Sequence, residues 1–437
     1  METASVQGME TGNPPPAMDS ASIRSARLSL ALLLSINLFN YIDRYVLSAA
    51  LPVIQGEILQ GDVHADERAG DLASVFLIAY MFASPVFGWL ADRTSRWLLV
   101  GGAVVVWSLA SGGSGLAMSF VAMLVTRIFV GVGEAAYGPT APALISDLYP
   151  IERRGQVLAW FYMAIPVGSA IGYAFGGQMA KHGLWREAFY LVVPPGLLLA
   201  ALCFRMRDPR RGASETHPVA ARSARLHDYV ILARTPSYVF NTIGMTALTF
   251  AIGGVAFWMP KYIYFRGEPD LGQIGLKFGA ITAISGLTAT LLGGIVGDKL
   301  AARYKGAYFL VSGTSLLLSF PFFLLVLHRP FPESWGWIFL TEFFLFFNTG
   351  PSNTILANVT HPAMRATGFA LNILIIHLFG DALSPKLIGK LNDSHNHDMN
   401  VGFRAVSIAI VVGGIFWLIG ARYLGRDTQL APTRIDN

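Results

Sequence analysis

Twice in this chain, 206 residues apart, a long apolar segment runs into a short loop carrying an acid and a base. The first copy is Gly88-Trp-Leu-Ala-Asp92-Arg93 and the second is Gly294-Ile-Val-Gly-Asp298-Lys299. The interval is close to half of the 437 residues, so it points to an internally duplicated, membrane-embedded bundle. With 53% hydrophobic and 14% charged residues the chain is too apolar for an ordinary soluble domain. The single cysteine, Cys203, excludes an intramolecular disulfide framework and a cysteine-based metal centre. A net charge of +5 would hint at nucleic acid in a soluble protein. Here the bases gather in loops between apolar segments, where orientation in a bilayer explains them, and no nucleic-acid partner is expected.

Twelve apolar spans follow a small, polar N-terminal tail. The first six run over about 28–55, 69–91, 96–117, 120–146, 154–180 and 187–205, and the second six over about 236–264, 271–297, 306–327, 334–358, 364–390 and 402–425. Each is long enough to cross roughly 30 Å of hydrocarbon at 1.5 Å per residue. The expected organisation is a tail (1–27), a six-helix bundle (28–205), a linker (206–235), a second bundle (236–425) and a C-terminal tail (426–437). An even number of spans puts both termini on one face. That face holds 20 of the 32 lysines and arginines and the other holds 10, Arg44 and Arg127 lying within spans, so both termini are expected to be cytoplasmic. The central loop, from the edge of the first bundle through the linker, carries Arg205, Arg207, Arg210, Arg211, Arg222, Arg225 and Arg234. Its Leu226, Tyr229, Val230 and Ala233 have the spacing of a short interfacial helix, which would tether, gate or meet anionic lipid.

Charges inside the spans carry the chemistry. Asn37-Leu-Phe-Asn40-Tyr-Ile-Asp43-Arg44-Tyr45 lies in the first span, where an ionised side chain is costly unless it faces a cavity or a partner. Adjacent on a helix, Asp43 and Arg44 point about 100° apart and need not pair with each other. The fourth span has Arg127-Ile-Phe-Val-Gly131-Val-Gly133-Glu134-Ala-Ala-Tyr137. Arg127 and Glu134 are two turns apart and share a face with Gly131, whose small size lets another helix approach. Asp43 and Glu134 are the candidates for proton coupling, with structural pairing as the alternative for each. Arg44 and Arg127 are candidates for an anionic head group or for the counter-charge that Glu134 releases on protonation.

Asn40, Tyr45, Tyr137, Glu342 and the His377/Asp381 pair are expected as auxiliary polar groups of a cavity. Glu342 would be buried near Asn348 and Asn353. His377 and Asp381, four apart, form either a protonatable pair or a packed polar contact. The runs Phe343–Phe347 and Phe257-Trp258-Met259-Pro260 fit a lipid-tail pocket or ordinary packing. A second repeat joins Asp147…Arg154 after span four to Asn358…Arg365 after span ten, seven residues apart in each case. Together with the first repeat, Asp92, Arg93, Arg96, Asp147, Arg153, Arg154, Asp298, Lys299, Arg303 and Arg365 form an expected cytoplasmic gate of acids, bases and helix ends. The second copy is weaker, because Ala302 stands where Arg96 does, although Arg303 is adjacent.

In these loops the chain resembles the major facilitator superfamily. Asn40-Tyr-Ile-Asp43-Arg44-Tyr45, Arg127 through Tyr137, Ala141-Pro142, Asp147-Leu148, Pro150, Phe161-Tyr162, Pro166, Gly168 and Gly172-Tyr173 make it similar to the spinster branch. The resemblance implies an all-α membrane protein of twelve transmembrane helices in two pseudo-symmetric six-helix bundles, moving an amphipathic anionic lipid such as a lysophospholipid or sphingosine phosphate by alternating access, with proton coupling in some members; a proton-coupled carrier is the expected case here. Membrane lipids as partners, a proton gradient as energy source with no cofactor, action as a monomer and, for a bacterial chain, residence in the inner membrane are also expected. A carrier of a small organic solute, sugar or drug, and a non-transporting lipid receptor or scaffold, are the competing readings. No acyl-transfer triad, metal-ligand cluster or phosphate loop is present in the sequence, so an enzyme is not expected.

Overall fold

The computed structural model describes residues 20–209, 226–361 and 364–434. The tail before residue 20 and the linker residues Arg210, Arg211, Arg222 and Arg225 lie outside the described residues. Because a backbone in hydrocarbon must satisfy its own N–H and C=O groups, the apolar spans fold as helices. They are α1 (Ser20–Ile58), α2 (Ala65–Ala91), α3 (Arg96–Leu116), α4 (Phe120–Leu148), α5 (Ile151–Lys181), and the pair α6 (Trp185–Leu191) and α7 (Val193–Cys203). After α8 (Leu226–Ala233) come α9 (Pro236–Phe265), α10 (Leu271–Ala301), α11 (Ala307–His328), the pair α12 (Ser334–Phe346) and α13 (Thr349–Val359), α14 (Arg365–Ile376) with α15 (Ser384–Asp393), α16 (Met399–Gly420) and α17 (Leu424–Leu430).

Among the described residues, eleven helical stretches are long and apolar enough to cross a membrane. The tenth span, read as continuous from the sequence, is instead broken between α12 and α13. Pro351 has no N–H to give to the carbonyl of Phe347, and the chain turns at Phe347–Asn348, so this crossing is made by two shorter helices. Pro194 and Pro195 similarly mark the step from α6 to α7. Between α14 and α15, residues His377–Asp381 form a π-helical turn closed by the Ala382 N–H to the His377 carbonyl at 3.0 Å, just ahead of Pro385. Side-chain caps begin several helices: Ser95 accepts from the N–H of Leu98, Ser119 from Ala122 and Asp270 from Gln273. In α8 the buried side chains are Asp228 and Leu232, while Tyr229 and Val230 face outward, as an interfacial helix would present them.

Each half packs on itself, α1 against α5 and α2 and α3 against α4 in the first, α9 and α11 against α16 and α10 against α12 in the second. The halves meet along α5–α10, α2–α15 and α1–α9. Glycines make these seams tight. A Cβ on Gly275 would sit 2.1 Å from the Tyr173 carbonyl oxygen, one on Gly177 2.4 Å from that of Leu271, one on Gly70 2.4 Å from that of Pro385 and one on Gly389 2.2 Å from that of Asp66. Helices α5 and α10 are antiparallel, and their seam loosens toward the face that carries the chain ends, here the terminal face: at Gly286 the nearest atom across to Pro166 is 3.9 Å away. Large apolar side chains such as Phe82, Val86, Trp89, Leu98 and Leu291 lie exposed on the outer surface of the bundle, where lipid tails would cover them.

Candidate functional site

The first-half charges converge on one buried cluster. Arg44 Nη2 donates to Glu134 Oε2 at 2.5 Å, tying α1 to α4. Glu134 is 1% exposed and Arg44 28%, so the guanidinium is the partner that reaches open space. That guanidinium also stands 4.7 Å from the Phe76 ring centre and 5.0 Å from that of Tyr41. Asp43 turns away, as its neighbouring helix position requires, and accepts a hydrogen bond from Ser111 on α3. Arg127 donates to Ser114 Oγ at 2.7 Å, lies over the Phe189 ring and interacts electrostatically with Asp43 and Glu134. Gly131 and Gly133 make the assembly possible, since a Cβ on either would run into the backbone of Phe76 or of Trp107.

Four expectations are corrected here. The direct counter-charge of Glu134 is Arg44 rather than Arg127: two turns of α4 bring Arg127 to the level of Ser114, where it faces α3 and α6. Tyr137 is a tie between helices and not a cavity group, its hydroxyl donating to the Leu33 carbonyl at 2.6 Å and its ring packed on Trp107 and Phe161. Asn40 is buried and absent from the cavity wall. Glu342 points to α10, where Thr282 and Ser285 meet it, rather than to Asn348 and Asn353, whose amides donate to carbonyls within their own segments.

A central cavity lies between the halves, leaving about 680 Å³ free of protein atoms, open solvent included. Arg44, Arg127 and Glu134 form its polar wall in the first half, and Tyr45 and Ser48 continue that wall along α1. Asp381 faces them from the π-helical turn, and His377 Nδ1 lies 2.9 Å from its Oδ1. Leu47, Leu72, Phe76, Val130 and Phe257 supply apolar surface. The site is therefore amphipathic, and its fixed charges are concentrated on the first half.

At the terminal face, Arg96 pairs with Asp147 and joins α3 to α4, while Arg154 donates to the Ser146 carbonyl at 2.8 Å. Arg93 donates to the Trp89 carbonyl and stacks on that ring. Asp92 is exposed at the end of α2. In the second half, Asp298 accepts from the Tyr308 hydroxyl at 2.9 Å, and Arg153, Lys299, Arg303 and Arg365 are exposed. Asp208, which sequence reasoning missed, caps α3 by accepting from the N–H groups of Arg96 and Trp97, both at 3.0 Å.

The opposite face holds a larger set that also went unread. Lys261 on α9 pairs with Asp66 on α2 in a buried contact. Asp393 on α15 accepts the Asp66 N–H at 3.1 Å and the Glu67 N–H at 2.7 Å, so the first turn of α2 is capped by the other half of the molecule. His397 Nδ1 stands 2.9 Å from Asp393 Oδ1, and Lys386 Nζ 2.8 Å from Asp71 Oδ1. Lys181 and Asp270 make a half-exposed link at 2.7 Å between α5 and the start of α10, and this hydrogen bond holds the Asp270 carboxyl below its ordinary range. The pairs Lys261–Asp66, Lys386–Asp71 and Lys181–Asp270, with the glycine seams, fasten the halves on this face, whereas the Arg96–Asp147 pair at the terminal face lies within one half.

Two bundles of membrane-crossing helices around an amphipathic central cavity, with charges buried at the centre, define a membrane transporter. The sequence pattern of the Major Facilitator Superfamily matches residues 33–385, and the chain belongs to that superfamily, in its spinster branch. It is 34% identical to Protein spinster homolog 3 of Danio rerio over 96% of this chain and 90% of the relative, and 36% identical to Protein spinster homolog 1 of Homo sapiens over 92% and 80%. Among solved structures, a bacterial homologue of the human lysosomal transporter Spinster, inward-facing and unoccupied, superposes with a TM-score of 0.76 at 20% identity, covering 95% of this chain and 99% of that one. A D-xylose–proton symporter superposes at 0.70 and 17% identity, covering 91% and 97%.

Proposed function

We propose that this protein is a proton-coupled, alternating-access carrier of an amphipathic anionic lipid, such as a lysophospholipid or sphingosine phosphate, and not an enzyme. The observation that carries the reading is the Arg44–Glu134 pair at the wall of a cavity whose remaining lining is largely apolar. An anionic head group competes with Glu134 for the Arg44 guanidinium, which offers charge-assisted hydrogen bonds to phosphate. Protonation of Glu134 removes the competing charge and frees Arg44, so proton uptake and head-group binding favour one another. Asp43, next along α1 and hydrogen-bonded to Ser111, is the second proton-coupling residue of this scheme. The lipid tail follows the apolar interface between the halves, past Leu47, Phe76 and Phe257.

The terminal face is taken as cytoplasmic on the charge bias of its loops, which makes this an inward-facing arrangement, fastened on the outer side. Consistent with that, the spinster homologue with TM-score 0.76 is described as inward-facing. The carrier works as a monomer, with the proton gradient as its energy source and no bound cofactor. The deciding experiment is reconstitution of the full chain in liposomes, comparing labelled lysolipid with a small sugar or organic acid, with and without a proton gradient. Gradient-stimulated lysolipid flux is expected. Small-solute flux alone would overturn the substrate, and lysolipid binding without any flux would favour a receptor.

A further inference from the structure

We infer that Glu342, Thr282 and Ser285 form a binding site for a small monovalent cation, a proton or Na⁺, separate from the Arg44–Glu134 pair. Helix α12 carries Glu342 to mid-span, where it is 4% exposed. Its Oε1 lies 3.2 Å from the Thr282 hydroxyl and its Oε2 3.3 Å from that of Ser285, two side chains one turn apart on α10. No lysine, arginine or histidine comes within ion-pair distance of it among the described residues. Other buried acids differ: Glu134 has Arg44, Asp66 has Lys261 and Asp427 has Arg434, while Asp43, which also makes no ion pair among the described residues, interacts electrostatically with Arg127 and Arg44. A carboxylate sealed in a membrane span without a fixed base requires a cation from solution.

The distances leave room for a small cation between these oxygens. A hydroxyl donating to a carboxylate prefers about 2.5–2.8 Å, and these separations are longer. Oxygens held about 2.3–2.6 Å from a hard cation, at right angles to one another, are roughly 3.3–3.7 Å apart, which the two separations approach. One carboxylate with neutral hydroxyls supplies a single negative charge, which a monovalent ion balances and a divalent one exceeds. A proton balances it equally, by turning one carboxyl oxygen into a donor. The site also touches the moving parts. Thr282 and Ser285 follow Gly275 and Gly279 along the α10 seam with α5, and Glu342 interacts electrostatically with Tyr45 and Tyr173 across the interface. Occupancy therefore fixes α12 to the helix along which the halves part. The inference needs only a membrane-embedded carrier and does not depend on which solute is moved.

The test uses the purified full chain in nanodiscs. Thermal unfolding is followed in NaCl against choline chloride at constant ionic strength at pH 8, and in choline chloride between pH 8 and pH 5.5. Wild type is expected to be stabilised either by Na⁺ or by acid, which separates the two cations. Glu342→Gln, a neutral isostere, should lose that response, while Glu333→Gln, at an exposed acid just ahead of α12, keeps it. If Glu342→Gln does not fold, the double variant Thr282→Val/Ser285→Ala retains the carboxylate. It should raise the half-saturating Na⁺ concentration about tenfold or move the acid midpoint by about one pH unit. Responses identical in wild type and both variants, or no response of wild type to either cation, would overturn the site.

Discussion

Arg44 and Glu134 are 90 positions apart in the chain and 2.5 Å apart in the molecule. The sequence announces both as costly charges in apolar spans, and the 100° step between Asp43 and Arg44 correctly separates their directions. It does not reveal the pairing, because Arg127 shares a helix face with Glu134 and is the nearer base along the chain. Only the lateral packing of α1 against α4 decides between them. Glu134→Gln removes the titratable group while keeping the side-chain volume, so ligand binding should persist and gradient-driven uptake should fall at least tenfold; flux whose pH dependence is unchanged would remove Glu134 from coupling. The two arginines should also separate. Arg44 reaches open space and Arg127 is 2% exposed, so Arg44→Ala should weaken an anionic lysolipid more than a matched neutral analogue, by about 1.5–3 kcal/mol for a charged hydrogen bond. Arg127→Ala should instead lower stability and affect both ligands alike. Equal selectivity losses in the two variants, in parallel binding assays, would show that both guanidiniums hold the head group.

At the scale of elements, hydropathy locates the crossings well because span length and apolarity are set by the bilayer itself. Breaks within crossings are read less well. The turn between α12 and α13 and the π-helical turn before α15 each precede a proline, Pro351 and Pro385, yet a proline in a membrane helix is often accommodated without a break. Close approach is likewise hidden, since a glycine on a helix face does not say which helix comes near. At Gly275 the structure supplies the answer, with Tyr173 on α5 directly opposite. Gly275→Ala places a methyl carbon 2.1 Å from that backbone oxygen, so α5 and α10 must separate. Overpacking of this kind costs about 1–3 kcal/mol, enough to shift a two-state balance roughly 5- to 150-fold. The fastened state should lose population in Gly275→Ala, seen as greater reactivity of an engineered cysteine at Leu271, which is buried at that seam. Gly294→Ala, where a Cβ meets nothing within 4 Å, should leave that reactivity unchanged. Equal reactivity in both variants would mean that the seam does not govern closure.

For the whole molecule, duplication was legible from the paired loops, but the fastening of the halves was not, because its partners are far apart in sequence: 195 positions for Asp66 with Lys261 and 327 for Asp66 with Asp393. The same distance in sequence makes these contacts the natural control of state. Lys261 and Asp66 are almost fully buried, and removing one member of a buried pair costs about 3–5 kcal/mol because the other charge is left without a partner. Here the stranded Asp66 regains water when the halves part on that face, so Lys261→Gln should move the population toward the arrangement open there. Lys181 and Asp270 are half exposed, and a pair of that kind contributes only about 0.2–1 kcal/mol. Its sign with pH is fixed: the Asp270 carboxyl is held low by Lys181, so the link is intact above the ordinary carboxylate range and is lost as pH falls through the lowered value. Spin labels on Gln60→Cys and Glu268→Cys, at exposed or half-exposed positions of loops on the opposite face, report the opening, and the buried Cys203 does not compete for label. A longer distance population should grow strongly in Lys261→Gln and slightly in Lys181→Gln. Comparable growth in both would place the fastening in the seams rather than in the buried charge pair.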